Sequence, residues 1–222
     1  MILIETGLWN GSHSIKWLKD FSIIHNAASE DFFKDKINYD IKAKFRIVCV
    51  EGAIQGDKLT IAILKRLEEI VKVNPSIDKI DIYGDDRQIN KRLFNENLID
   101  FKGVVSRDSI HKIYNKKNII FFVLEINPPC PNSLIESICA RIPSIGFDTG
   151  SYSELAKNTG ISMKYNKNKN SLDIPDLKVI DDAIDTMIKN YSLYAKNTFS
   201  ISDIYKLERM GKEYLNIIIN LT

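Results

Sequence analysis

The segment Glu125–Ala140 carries residue types that can hold a charged ligand. Its three prolines stiffen a loop, and a helix is predicted to begin near Pro131, because proline suits the first helical turn. The backbone N–H groups of Asn132 and Ser133 would then face an anion, aided by the helix dipole. Glu136 falls on the same face as Asn132, where its carboxylate can accept two hydroxyls of a ribose. The alternative is that Glu136 only favours the helix N-terminus electrostatically.

Two other loops carry weaker signals of the same kind. Gly150 permits a tight turn and the close approach of a ligand, while Ser151 could instead simply cap the short helix that holds Glu154. Lys58 could reach a phosphate, although a lysine in the first turn of a helix is usually solvated. Each of these residues follows a predicted strand, and parallel sheets bind ligands beyond the carboxyl ends of their strands.

Several other chemistries are excluded by missing motifs. The chain has no phosphate-binding P-loop, no dinucleotide-binding glycine fingerprint, no nucleophile elbow and no H-E-x-x-H zinc motif. Its three cysteines, Cys49, Cys130 and Cys139, lack metal-ligand spacing. The pair Asp85–Asp86 is predicted to be a loop or a helix cap, so we expect no metal. A nicotinamide-dependent dehydrogenase is disfavoured.

The composition is that of an ordinary globular protein. The 222 residues are 44% hydrophobic and 27% charged, and the formal net charge is +2, without long blocks of like charge. These values indicate neither a nucleic-acid face nor a membrane-surface helix. No apolar run of about 18 residues could span a bilayer. The first residues also lack the basic and apolar regions of a signal peptide, so we expect a cytoplasmic protein.

Short apolar runs alternate with amphipathic helical patterns along most of the chain. This order predicts βαβ units and hence a Rossmann-like, doubly wound parallel sheet of the α/β class. Residues 1–44 fit the alternation poorly and are predicted to be an appendage to a domain of residues 45–222. The predicted strands are Phe45–Val50, Lys79–Tyr83, Phe101–Val105, Ile119–Leu124, Ile142–Phe147 and, more weakly, Ile161–Tyr165. The predicted helices are Leu59–Val73, Arg107–Lys116 capped by Ser106, Asn132–Ala140, Val179–Tyr191 and Ser202–Ile219.

In order, these segments resemble the C-terminal, donor-binding domain of family 4 glycosyltransferases, which have the GT-B fold. PNSLIESICARIPSIGFDTGSYSEL (131–155) is similar to the family's glutamate-bearing helix, the strand after it and its glycine loop. FKGVVSRDSIHKIY (101–114) and KIDIYGDD (79–86) resemble the segments before that helix. IIHNAASEDFF (Ile23–Phe33) resembles the linker that precedes the donor domain in that family.

The resemblance implies a donor site for a nucleoside diphosphate sugar, either a UDP-sugar or a GDP-sugar, without any other cofactor. Glu136 matches the glutamate that binds the donor ribose. By the same match, the backbone at Asn132, Ser133 and Leu134 holds the diphosphate and Lys58 neutralises it. The remaining matches are the nucleobase wall at Lys102, Gly103 and Val104, and the loop beside the donor sugar at Gly150 and Ser151.

Two positions depart from the family pattern. Pro128 stands where the family has the first glutamate of its pair, and Glu51–Gly52 replaces an arginine before the lysine loop. Only about 40 residues precede the donor-like region, so an acceptor domain would come from another chain or from a second copy. We therefore expect a glycosyltransferase of glycan biosynthesis that transfers with retention if it is active. The alternative is a non-catalytic module, derived from such a domain, that binds a nucleotide or a protein.

Overall fold

The computed structural model describes residues 3–5, 21–33, 39–40, 42–165 and 176–219. A short parallel pair, β1 (Leu3–Glu5) and β2 (Phe21–Ile23), precedes the main sheet. The main sheet consists of β3 (Phe45–Ala53), β4 (Ile77–Asp85), β5 (Ile99–Gly103), β6 (Ile119–Phe122), β7 (Ser144–Phe147) and β8 (Gly160–Met163). These six strands all run parallel in the order β5-β4-β3-β6-β7-β8, with β3 and β6 at the centre.

Helices lie on both faces of this sheet. The six α-helices of the described residues are α1 (Lys58–Val73), α2 (Arg107–Ile110), α3 (Asn132–Cys139), α4 (Tyr152–Ala156), α5 (Val179–Ile201) and α6 (Leu207–Ile219). Four of them, α1, α3, α4 and α5, bury residues against the sheet. One buried cluster joins the sheet to α1 and α5, and a second cluster joins the opposite face to α3 and α4. The central strand β6 is buried along its whole length, as expected for a parallel strand covered on both faces. The predicted doubly wound α/β fold is confirmed.

Helix α1 shows how local sequence sets these elements. Its buried residues recur at helical spacing and form the stripe Ile63, Leu64, Leu67, Ile70 and Val71. The Asp57 side chain caps the helix, accepting hydrogen bonds from the backbone N–H groups of Leu59 and Thr60. The helix therefore starts directly after the loop that leaves β3, and its N-terminus lies at the carboxyl edge of the sheet.

Two elements near the ligand-binding edge differ from the sequence-based prediction. The strand predicted at Phe101–Val105 ends at Gly103, where a positive φ of 69° turns the chain out of the sheet. Val104 therefore lies in a loop and is 75% exposed. The helix predicted from Arg107 continues only to Ile110 and is followed by a separate 3-10 turn, Ile113–Asn115.

The C-terminal helices also differ in their boundaries. Helix α5 extends beyond the predicted end at Tyr191 because Ala195 and Thr198 continue its buried stripe. These small or polar side chains give little hydropathic signal. The segment predicted as one helix from Ser202 begins with a 3-10 turn, and α6 starts at Leu207.

Part of the predicted N-terminal appendage packs against the main domain. Ile24, Ala28 and Phe32 are buried, and Phe32 joins the same apolar cluster as α3. The backbone N–H of Ala28 donates to the carbonyl of Tyr205 at 3.0 Å. The boundary at residue 44 stays a prediction. None of the helices in the described part of the chain is long and apolar enough to cross a bilayer.

Candidate functional site

The two central strands mark the point where the order of the sheet reverses. The chain continues from β3 to β4 and β5 on one side, and from β6 to β7 and β8 on the other. In open parallel sheets, ligands bind beyond the carboxyl ends of the strands at such a switch point. Two cavities open there, one of about 410 Å³ against α3 and one of about 490 Å³ against α1. We call them the α3 cavity and the α1 cavity.

The α3 cavity brings together four of the predicted site residues. Val104 lines it from the loop after β5, while Asn132, Ser133 and Glu136 line it from α3. Its other lining residues are Val50, Glu51, Gly52, Tyr83, Gly84, Val105, Ile110, Ile113, Glu125 and Pro131. The cavity thus has an apolar wall next to a helix N-terminus and carboxylates, a combination suited to a ligand with a flat apolar part and a polar part.

The first turn of α3 presents unpaired amides to this cavity. Pro131 precedes the helix, and its carbonyl accepts the N–H groups of Leu134 and Ile135. Among the described residues, nothing accepts the N–H groups of Asn132 and Ser133. Leu134 itself is fully buried and its amide is used. The amide of Leu134 thus has a partner within the first turn, and its contact with a diphosphate stays a prediction.

Glu136 extends from α3 into the same cavity and is half-buried rather than part of the core. Burial raises the pKa of its carboxyl group to about 7, and the charge of Arg107 opposes that shift. Tyr114 supports this part of the site, since its hydroxyl donates to the carbonyl of Ser133 at 3.3 Å. The carboxylate therefore faces the space next to the free amides of Asn132 and Ser133.

Glu51 and Glu125 line both cavities and were not predicted as site residues. The backbone N–H of Leu124 donates to Oε1 of Glu51 at 2.9 Å, so this carboxyl group links β3 to the loop after β6. Burial raises the pKa of Glu51 to about 7, and the charge of Glu125 adds to the shift. The sequence feature that could have identified Glu51 is its position, because it directly follows an apolar run that is predicted to be a buried strand.

The predicted lysines and Gly103 lie outside the two cavities. Lys58 is the exposed first residue of α1. The Lys102 ammonium group donates to the carboxylate of Asp100 and lies 4.0 Å from Asp81, on one face of the sheet. The hydrogen bond to Asp100 raises the pKa of Lys102. Lys102 thus lies on the sheet face of Asp81 and Tyr83 with its ammonium group paired to a carboxylate, and its place in the wall of a base pocket stays a prediction.

Gly150 and Ser151 fix the proline loop instead of lining a cavity. Gly150 has a positive φ of 58°, and a Cβ atom there would clash with the carbonyl oxygen of Pro128. Ser151 is fully buried, and its amide and hydroxyl both donate to that same carbonyl, at 2.9 and 3.0 Å. Ser151 makes no helix-capping bond either. Its two hydrogen-bonding groups are used to hold Pro128 in place, and the position of this loop beside a donor sugar stays a prediction.

Comparisons of the sequence with protein-family models and with curated proteins find no match. The fold, in contrast, is similar to many solved structures. A sucrose-phosphate synthase from Thermosynechococcus elongatus matches 99% of this chain with a TM-score of 0.71 and 14% identity. HepE from Anabaena, solved with UDP, matches 90% with a TM-score of 0.64 and 14% identity. The pneumococcal O-GlcNAc transferase GtfA, solved with UDP and GlcNAc, matches 90% with a TM-score of 0.61 and 15% identity.

The chain has the fold of one half of a GT-B glycosyltransferase. It spans 58%, 57% and 40% of those three structures, respectively. The recognition of a GT-B half domain from the sequence is therefore confirmed. At these low identities the likeness establishes the fold, and the activity of the longer proteins does not transfer with it.

Within this GT-B half domain, the charge of the candidate site is unusual for a diphosphate site. No lysine, arginine or histidine of the described residues lines either cavity. Three glutamates do so, namely Glu51, Glu125 and Glu136. The described part of the chain holds no group of three or more His, Cys, Asp or Glu side chains placed to bind a metal ion. The amides at the start of α3 are therefore the main electropositive groups at the cavity wall.

Proposed function

We propose that this GT-B half domain binds the nucleotide part of a nucleoside diphosphate sugar in the α3 cavity. One observation carries the proposal: two free helix amides and the Glu136 carboxylate open on one cavity at the switch point of the sheet. The amides suit an oxygen of the diphosphate, and the carboxylate suits the ribose hydroxyls. The apolar residues at Val104, Val105 and Ile110 suit one face of a base.

Two of the structures with a similar fold support this choice of ligand, since HepE and the O-GlcNAc transferase were solved with UDP. We propose UDP or GDP as the nucleotide and transfer with retention as the reaction. The acceptor surface would come from another polypeptide or a second copy of the chain. The proposed place of this reaction is glycan biosynthesis.

Calorimetric titration with UDP and GDP tests the binding step. Replacing Glu136 by alanine should weaken binding about ten- to a hundredfold, because charge-assisted hydrogen bonds to the ribose, worth about 1.5–3 kcal/mol, are lost. Glu208→Ala is the matched control, since Glu208 is an exposed glutamate on α6 whose partner is Lys212. Equal affinity in wild type and Glu136→Ala would reduce Glu136 to a charge that favours the start of α3.

A non-catalytic module that binds a nucleotide or a protein is the second candidate. The observation in its favour is the loss of family side chains at two positions of the site. Pro128 stands where the resemblance expects a glutamate, and Glu51–Gly52 stands where it expects an arginine. Nucleotide binding without turnover of any donor sugar would favour this candidate over the enzyme. Binding of neither UDP nor GDP would leave only the protein-binding version.

A further inference from the structure

The carboxyl group of Glu51 occupies the crevice between the two cavities. Glu51 lies two residues before the end of β3, and its Oε1 accepts the N–H of Leu124, two residues after β6, at 2.9 Å. It lines the α3 cavity and the α1 cavity alike. The backbone at Glu51 is closely packed, since Gly84 has a positive φ of 140° and any Cβ there would clash with the Glu51 carbonyl oxygen. The backbone of Glu51 is thus held against β4, and its carboxyl group is held by the Leu124 amide.

This position matters because the Leu124 amide, a donor at the carboxyl edge of the sheet, is already used by the Glu51 carboxyl group. A carboxylate that already accepts such an amide competes with an anionic ligand for it and repels that ligand through its charge. The repulsion is strong in a partly desolvated cavity, where two unit charges several ångströms apart interact by far more than they do in water. No described cation lines either cavity to offset it.

Resting on the proposed function, we propose that Glu51 is a charge gate for the diphosphate: the cavity admits a nucleoside diphosphate when this carboxyl group carries a proton and rejects it when the group is ionised. The proton removes the repulsion and leaves the ligand free to approach the amides at the start of α3. A nucleoside without phosphate carries no charge for the gate to act on, so its binding is independent of Glu51.

The groups that surround Glu51 allow its protonation near neutral pH. Burial raises its pKa to about 7, and the neighbouring charge of Glu125 acts in the same direction. The titratable groups near it on the neighbouring elements are Cys49 on β3, Tyr83 on β4, Tyr114 in the 3-10 turn, Glu136 on α3 and Asp57 at the start of α1. Positive charges lie behind two of these groups, because Lys116 donates to the Tyr83 hydroxyl at 3.3 Å and the charge of Arg107 acts on Glu136.

The sign of the pH dependence follows from this arrangement. Below about pH 7 the free protein already holds the proton on Glu51, so this group gives the affinity for the diphosphate no dependence on pH. Above about pH 7 the ligand must bring a proton onto Glu51, and affinity falls by up to about tenfold per pH unit. Glu51→Gln keeps a hydrogen-bond acceptor for the Leu124 amide and removes the charge, so it holds the gate open at every pH.

The test is calorimetry with UDP and GDP on wild type and Glu51→Gln at about pH 6 and about pH 8.5, with EDTA or with Mg²⁺. We expect Glu51→Gln to bind at least about tenfold more tightly than wild type at the higher pH, and equally at the lower pH. Uridine or guanosine should bind both proteins alike. The phosphate of the ligand titrates as well, but identically for the two proteins, and thermal melts confirm that the variant is folded.

Each other result overturns the gate. Equal diphosphate affinity in the two proteins at about pH 8.5 would mean that Glu51 does not face the phosphates. Weaker binding by Glu51→Gln, together with a need for Mg²⁺, would mean that the carboxylate holds a cation shared with the ligand. Absence of nucleotide binding by both proteins at both pH values would end the proposed function and the gate with it. Binding by both proteins without the pH difference would end the gate alone.

Discussion

Glu51 and Glu136 reach the α3 cavity from a strand and from a helix, yet burial gives both carboxyl groups a pKa of about 7. A raised pKa means that the folded protein holds a proton which the unfolded chain has already lost, since its carboxyl groups titrate near 4.5. The folded state therefore binds more protons between about pH 4.5 and 7. Its stability falls across that window as the pH rises.

The first prediction follows from this linkage. Glu51→Gln should raise the free energy of unfolding at about pH 8 by as much as about 3 kcal/mol, and should change it little near pH 4.5. Urea denaturation of wild type and variant at both pH values measures the difference. Glu208→Gln is the control, because hydrogen bonding to Lys212 lowers the pKa of that exposed carboxyl group. A variant that is destabilised at about pH 8 would contradict a buried, unneutralised carboxylate at position 51.

Single residues also show where the sequence was informative about the site. The spacing of Asn132, Ser133 and Glu136 on a predicted helix was enough to place them at one cavity. The sequence could not show the contacts of Ser151, because the carbonyl of Pro128 that accepts its hydroxyl is distant in sequence. Glu51 was missed for the same reason: its contact with the Leu124 amide exists only once β3 and β6 lie side by side.

At the scale of elements, the pairing of β3 with β4 contains a buried ion pair. Asp81 is fully buried in β4, and Arg46 in β3 donates to both of its carboxylate oxygens at 3.1 and 3.0 Å. Lys116 lies 3.4 Å from the same carboxylate. A buried carboxylate needs such partners, because its desolvation is costly when it is not paired.

We predict that Asp81→Asn lowers the free energy of unfolding by about 2–3 kcal/mol. The loss is below that of a fully buried pair, because Arg46 keeps its ion pair with Asp78 and is 30% exposed. Asp78→Asn is the matched control on the same strand. Its carboxylate is 49% exposed, so we expect less than about 1 kcal/mol. Chemical denaturation of both variants measures the contrast, and equal losses would argue against a special role for the buried pair.

The order of elements was predictable because each strand is a short apolar run and each helix carries a buried stripe. The first and last residues of these elements were harder to predict where a single residue or a tertiary contact decides them. Gly103 ends β5 through its positive φ, although the apolar run continues for two residues. Helix α5 continues past Tyr191 because Ala195 and Thr198 are buried by neighbouring elements, and neither residue type signals burial by itself.

At the scale of the whole molecule, the chain spans 40–58% of the length of the three GT-B structures compared with it. Both cavities lie at the carboxyl edge of one sheet, and each is open. A transferase gains much of its rate by holding two substrates in register, which needs a surface for each of them. The described residues provide one candidate surface, at the carboxyl edge of the sheet.

We therefore predict that the 222-residue chain alone binds a nucleoside diphosphate but does not transfer sugar. The measurement is release of UDP or GDP from a panel of nucleotide sugars, with and without simple acceptors, alongside a size determination of the protein. Glu136→Ala, which should bind the nucleotide poorly, sets the background of non-enzymatic release. Because the helix amides and Glu136 act on the donor alone, they can lower the energy of a bound nucleotide without orienting an acceptor. Robust acceptor-dependent release by the monomer would show that one GT-B half domain positions both substrates.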